Sequence, residues 1–189
     1  MTARRWTAAL LAAVATVALA GCTSAKGQEK TCSTTSGGII ECAPDQRSAP
    51  PKLGGELLLG GNYDVTQARG QVVVVNFWGS WCAPCRAEAD DLEAVYQATK
   101  GSGVTFLGIN VQDSRDKAKA FEEGRVTYPS LFDPASRLAL GLDIPPNTVP
   151  ATVVLDRDGR VASVIRRAVT QDELRPIVDE IAAEKPASN

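Results

Sequence analysis

Hydrophobic and polar positions along this chain follow the rhythms of strand and helix, except in one stretch with no polar face. Val72-Val73-Val74-Val75-Asn76-Phe77 is a mostly β-branched run, the pattern of a strand buried on both sides. Val104 to Ile109 is a second such strand. Between them, Ala89, Leu92, Val95 and Tyr96 recur at helical spacing and give one apolar face. That helix starts around Ala83-Pro84, because proline suits a first turn, and ends at Gly101 to Gly103. Asp113 or Ser114 can cap a further helix running to about Glu123. Glu56 to Leu59 reads as a short strand before the turn Gly60-Gly61-Asn62. Ala151 to Leu155 and Arg160 to Ile165 read as strands joined by Asp156-Arg157-Asp158-Gly159, a hairpin turn with glycine where positive φ is needed. Thr170-Gln171-Asp172-Glu173 is a capping-box pattern. It opens a last helix that fades near Glu184, with Pro176 placed to kink it. The order β-β-α-β-α-β-β-α predicts an α/β fold without repeats.

The first residues follow a different logic. Arg4 and Arg5 precede an apolar run from Thr7 to Ala20. At about 14 residues it is short of the roughly 20 that a membrane-spanning helix needs, and it fits the core of a secretory signal. Residues 1–21 are therefore read as a signal peptide. Ala20-Gly21-Cys22 resembles the bacterial lipobox, in which the cysteine is lipidated and becomes the mature N-terminus. The alternative is an ordinary signal peptide, or an uncleaved anchor, with Cys22 incidental. Residues 22–52, rich in Thr, Ser, Gly and Pro, read as a surface tether. A single folded domain is expected over 53–186. This organisation places the protein on the extracytoplasmic face of the cell membrane, held by a lipid, where disulfides persist.

Composition narrows the chemistry. The chain has 189 residues, 44% of them apolar, which suits one domain plus a tail. Its 20 basic and 22 acidic residues give a net charge of −2, so there is no broad basic surface for nucleic acid. There is no histidine, which excludes Ser-His-Asp and Cys-His catalysis and His-ligated zinc or haem. Five cysteines remain. With Cys22 lipidated and Cys82 paired with Cys85, Cys32 and Cys42 are left as an even pair. A structural disulfide is expected, the alternative being that both are free or pair with another protein.

Trp81-Cys82-Ala83-Pro84-Cys85 lies where a buried strand gives way to a helix. A first cysteine at a helix N-terminus meets backbone N–H groups and the helix dipole, which favour a thiolate. The second sits about one turn in, close enough to form a small disulfide. A Cys-x-x-Cys is also half of a zinc site, but no histidine and no second pair of suitable spacing completes one. No metal and no cofactor are expected.

The segment Asn76-Phe77-Trp78-Gly79-Ser80-Trp81-Cys82-Ala83-Pro84-Cys85 resembles the active site of thioredoxin-like proteins. It is most similar to the TlpA/ResA/DsbE group of membrane-anchored extracytoplasmic thiol–disulfide oxidoreductases. Gly108-Ile109-Asn110-Val111 and Thr148-Val149-Pro150-Ala151-Thr152 extend the match over about residues 53 to 184. The resemblance implies a thioredoxin-like fold, a central mixed sheet flanked by helices, with an added N-terminal strand or hairpin and a central insertion. It implies a monomer that reduces protein disulfides, including the haem-binding cysteines of apocytochrome c, with electrons from a CcdA/DsbD-like membrane thiol carrier. It also implies roles for residues: Cys82 and Cys85 as the redox pair, Pro150 as a cis proline facing them, and Glu88 as proton acceptor for Cys85. Residue 76 is Asn where cytoplasmic thioredoxins carry a buried Asp, and Asn cannot take that proton. Glu88 could equally be a solvated glutamate, like Glu93. Trp81, Ala83, Pro84 and Val149 are the expected docking surface. Two other functions fit the same cysteines: an oxidase that forms disulfides in secreted proteins, and a copper chaperone holding Cu(I) on two thiolates. A peroxidase would need a Thr-x-x-Cys with its partner arginine, which is not found.

Overall fold

The computed structural model describes residues 32–145 and 147–185. The expected signal peptide 1–21 and Cys22 lie outside the described residues. The chain forms β1 (Ser33–Thr34), β2 (Ile39–Glu41), β3 (Gly54–Glu56), β4 (Asn62–Asp64), β5 (Val72–Trp78), α1 (Ala83–Thr99), β6 (Val104–Val111) and α2 (Arg115–Glu122). It continues with β7 (Ser130–Asp133), α3 (Arg137–Leu140), β8 (Ala151–Leu155), β9 (Val161–Ile165) and α4 (Gln171–Ala183). Seven strands make one mixed sheet in the order β1-β2-β9-β8-β5-β6-β7. β5, β6 and β7 run parallel, and β8 is antiparallel to β5. This is the thioredoxin-like arrangement, with α2 and β7 as the added segment after β6.

β5 is buried along its whole length, as a run without a polar face requires. Val73, Val75 and Phe77 point to one side, with Leu53, Leu107, Ile109 and Leu131. Val72 and Val74 point to the other, against Leu92 and Val95 of α1 and Leu174, Val178 and Ile181 of α4. Asn76 shares the parity of Val72 and Val74, so its polar side chain is turned toward α1.

The hairpin β8–β9 and the capping box at Thr170 form as the sequence predicts. Three expectations differ. Glu56 to Leu59 is not a strand: the pairing is Gly54–Glu56 with Asn62–Asp64, around the expected glycine turn. β7 has only four residues and no run of apolar positions, so periodicity misses it. Its outer edge is covered, since Leu58 N donates to Ser130 O at 2.7 Å and Leu57 bridges Leu131.

The third difference concerns the expected tether. From Cys32 onward it packs on the domain, where β2 extends the sheet by pairing with β9. Ile39, one of the two large aliphatics there, reaches the core on the α4 side. A Cys32–Cys42 disulfide closes the hairpin. Buried Arg47 then donates to Cys42 O (3.1 Å), to Asp156 (3.1 Å) and to Glu184 (2.5 Å). It fastens the segment to the β8–β9 turn and to the end of α4.

Candidate active site

Cys82 caps α1. Its backbone is extended, and its Sγ accepts from Cys85 N at 3.2 Å. Pro84 occupies the first helical turn, where its missing N–H costs nothing. Cys82 and Cys85 are joined by a disulfide. Both are buried in this state, 4% and 2% exposed, while Ala83 and Pro84 between them face solvent.

The turn before the pair is held from the far end of β6. Asp113 accepts from Ser80 N (2.6 Å), Ser80 Oγ (2.9 Å), Asn110 Nδ2 (3.1 Å) and Ser114 N (2.8 Å). Burial works to raise the Asp113 pKa, but these donors together hold it below its ordinary value. Of the two candidate caps of α2, Ser114 takes the N-cap position, without a side-chain cap hydrogen bond, and Asp113 anchors the active-site turn. Trp81 folds back so that its Nε1 donates to Val111 O at 3.2 Å, yet it stays 50% exposed. A Cβ at residue 79 would lie 2.5 Å from that indole, so the turn needs Gly79.

The Val149–Pro150 peptide is cis. Val149 packs, half-buried, on the cluster of Leu58, Trp78, Cys82, Cys85 and Ala118. The structure thus brings Cys82, Cys85, Val149 and Pro150 to one end of the sheet, with Trp81, Ala83 and Pro84 exposed beside them.

Glu88 is 2% exposed. One carboxylate oxygen accepts from Asn76 Nδ2 (2.9 Å) and the other from Val169 N (2.9 Å). Asn76 also donates to Thr152 Oγ1 at 3.2 Å. Burial pushes the Glu88 pKa up to about 7; the hydrogen bonds from Val169 and Asn76 oppose the shift, and Asp91 adds to it. Asn76 and Cys85 border a common void of about 10 Å³, which also touches Trp78 and Tyr128. Glu88 thus holds Asn76, which borders the same void as Cys85.

Glu93 is less bland than its expected role as a solvated surface group. Its carboxylate holds Thr127 N (2.9 Å) and Thr127 Oγ1 (2.8 Å), linking α1 to the loop before β7. Sequence reasoning also missed Glu122, a second buried carboxyl whose pKa burial raises to about 7. Its partner Ser130 is eight residues away across a loop, a distance that no local pattern reports.

A model of the AhpC/TSA family matches residues 43–164. The thiol-disulfide oxidoreductase ResA of Geobacillus thermodenitrificans is 28% identical over 125 residues, 66% of this chain and 71% of that protein. The thiol:disulfide interchange protein HelX of Rhodobacter capsulatus is 36% identical over 116 residues, 60% of this chain and 62% of that one. Among solved structures, a secreted thiol-disulfide isomerase from Corynebacterium glutamicum superposes with a TM-score of 0.74 at 34% identity. That match covers 85% of this chain and 96% of the other.

Proposed function

The chain belongs to the AhpC/TSA family and is a thiol–disulfide oxidoreductase similar to ResA, and on that premise we propose that it reduces protein disulfides outside the cytoplasm through Cys82 and Cys85. The observation that carries this reading is the Cys82–Cys85 disulfide at the N-terminus of α1, beside a buried carboxyl and a cis-proline loop.

Cys82 is the attacking thiol. As a thiolate at the helix N-terminus it attacks one sulfur of a substrate disulfide, and the other sulfur leaves as the first substrate thiol. Cys85 loses its proton, attacks Cys82 Sγ in the mixed disulfide and releases the second substrate thiol. Two electrons have then passed to the substrate and the Cys82–Cys85 disulfide remains, to be reduced by an external dithiol. Glu88, buried on the same helix one turn after Cys85, takes up the Cys85 proton; a pKa of about 7 suits that task. Trp81, Ala83, Pro84 and Val149 form the surface on which the substrate strand docks.

Charge supports the reductant direction. A strong oxidant owes its potential to a stabilised reduced form. Here a carboxyl that ionises close to the pair opposes thiolate formation and so disfavours the reduced form. The helix N-terminus works the other way, and it is the feature that favours the oxidase reading. The physiological extension is reduction of apocytochrome c cysteines, with lipidation at Cys22 and electrons from a membrane thiol carrier.

A trapping experiment tests the assignment. Cys85→Ser should accumulate mixed disulfides with client proteins, and Cys82→Ser should accumulate none. Equal trapping by the two variants would remove Cys82 from the nucleophile's role.

A further inference from the structure

Trp78 stands in the cluster that buries Cys82 and Cys85, and it borders the same small void as Cys85. Its Nε1 donates to Ser130 Oγ at 3.2 Å. The Ser130 hydroxyl in turn donates to Glu122 Oε1. The relay runs from the redox cluster across β6 to the C-terminal end of α2. It passes over Gly108, where a Cβ would lie 2.0 Å from Ser130 Oγ and 2.9 Å from Trp78 Nε1. Only glycine at residue 108 leaves room for the contact.

Glu122 has an unusual setting. It is buried, and no cation pairs with it among the described residues. It also lines a cavity of about 680 Å³ bounded by Leu57, Leu59, Val126 and Tyr128. Protons can therefore reach it from this cavity. Lys119 and Glu123 border the same cavity from α2 and its end. Across it stands the Tyr128 phenol, held un-ionised by burial and by the nearby charges of Glu122, Glu88 and Glu93.

We propose that Glu122 is a positioning residue of the thiol–disulfide reaction: through Ser130 it orients the Trp78 indole against the Cys82–Cys85 pair, and it makes that orientation sensitive to protons entering from the cavity. The role in the reaction rests on the reading of Cys82–Cys85 as the reacting pair; the relay itself does not.

The chemistry of the relay gives the sign. Ionised Glu122 makes a charge-assisted hydrogen bond that fixes the Ser130 proton toward the carboxylate and leaves a Ser130 lone pair for the indole N–H. Protonated Glu122 carries an O–H of its own. That proton competes with Trp78 for the Ser130 oxygen, and the charge that polarised the relay is gone. Trp78 is thus held firmly above the titration of Glu122 and loosened below it. Burial places that titration at about 7, so the device works in the neutral range.

The test is tryptophan fluorescence of the oxidised protein from pH 5 to 9, with Trp78→Phe as the spectral blank. The expected result is a transition near neutral pH that is lost in Glu122→Gln. It should also be lost in Ser130→Ala, which keeps the carboxyl and cuts the relay. It should persist in Glu123→Gln and in Glu88→Gln, the latter removing the other carboxyl that titrates in this range. A transition that survives both Glu122→Gln and Ser130→Ala, that Glu88→Gln alone abolishes, or that is absent from the wild type overturns the proposal. The pH profile of Cys82 alkylation in the reduced protein gives the second readout, and Glu122→Gln should shift it. If fluorescence behaves as expected but Cys82→Ser leaves disulfide exchange intact, the role in the reaction is overturned, and the failure belongs to the reading of the reacting pair.

Discussion

The two disulfides of this chain close short loops, with separations of 10 and 3 residues, in opposite electrostatic settings. Beside Cys32–Cys42, the buried charges are paired. Arg47 lies between Asp156 and Glu184, and Arg160 shares Asp156 at 3.0 Å. On the side of Cys82–Cys85, Glu88 and, farther off through Ser130 and Trp78, Glu122 are buried without a cation among the described residues, and burial raises both toward neutrality. Paired buried charges hold a fold; unpaired buried acids exchange protons near pH 7. One end of the sheet is fastened, and the other carries the cysteine pair with buried carboxyls that can exchange protons near neutrality.

The sharpest way to break this contrast is to exchange the roles of the cysteines. Cys82→Ser should reduce disulfide exchange to background, measured by turnover of a disulfide substrate, and leave thermal unfolding nearly unchanged. The double variant Cys32→Ala/Cys42→Ala should do the reverse. It should lose about 3 kcal/mol of stability, from a loop of about 11 residues, and keep turnover within about twofold. If the double variant loses turnover as well, the two ends are coupled and the contrast fails.

Arg47→Ala probes the fastened end by charge. It strands Asp156 and Glu184, and since Arg160 still reaches Asp156, a loss of about 2–3 kcal/mol is expected in urea unfolding. A loss below about 0.5 kcal/mol would place this cluster with ordinary surface pairs.

Glu88→Gln sharpens the other end. A carboxyl raised from its ordinary 4.5 to about 7 on folding binds more protons when folded. Its stabilising contribution is complete below about pH 4.5 and is lost as pH rises through about 7. Between pH 5 and 8 the wild type should lose on the order of 2 kcal/mol through this group, and Glu88→Gln should lack that share of the slope. Exposed Glu180 is the control; Glu93 would not serve, because its contacts with Thr127 make it part of the structure.

How much of this could be read beforehand depends on how local each signal is. β5, α1, β6, the β8–β9 hairpin and the capping box of α4 each carry their own pattern within a few residues, and all were legible. Cys82, Cys85 and Pro150 were legible because the chemistry sits in contiguous motifs. β7 and the hairpin of β1 and β2 were not, because short strands at the margins of the sheet owe their form to the strand beside them. The bonds of Glu88 to Val169, and of Glu122 to Ser130, join different elements and exist only after the sheet is assembled. For the same reason the clamp at Arg47 was hidden within what read as a tether.

The smallest expected effect links the carboxyl to the redox pair. Removing the charge of Glu88 should ease thiolate formation by roughly one pKa unit, equivalent to raising the potential by on the order of 30 mV. The potential of the Cys82–Cys85 couple is also the most direct measure of the central claim. Equilibration of the wild-type protein with a glutathione or dithiothreitol redox buffer at pH 7, read by quenching of free thiols with a mass tag, gives the value. A reductant whose thiolates are opposed by a buried carboxyl should lie near thioredoxin, about −270 mV. A value near −120 mV would mean that the helix N-terminus dominates the carboxyls, and that the pair forms disulfides in its substrates.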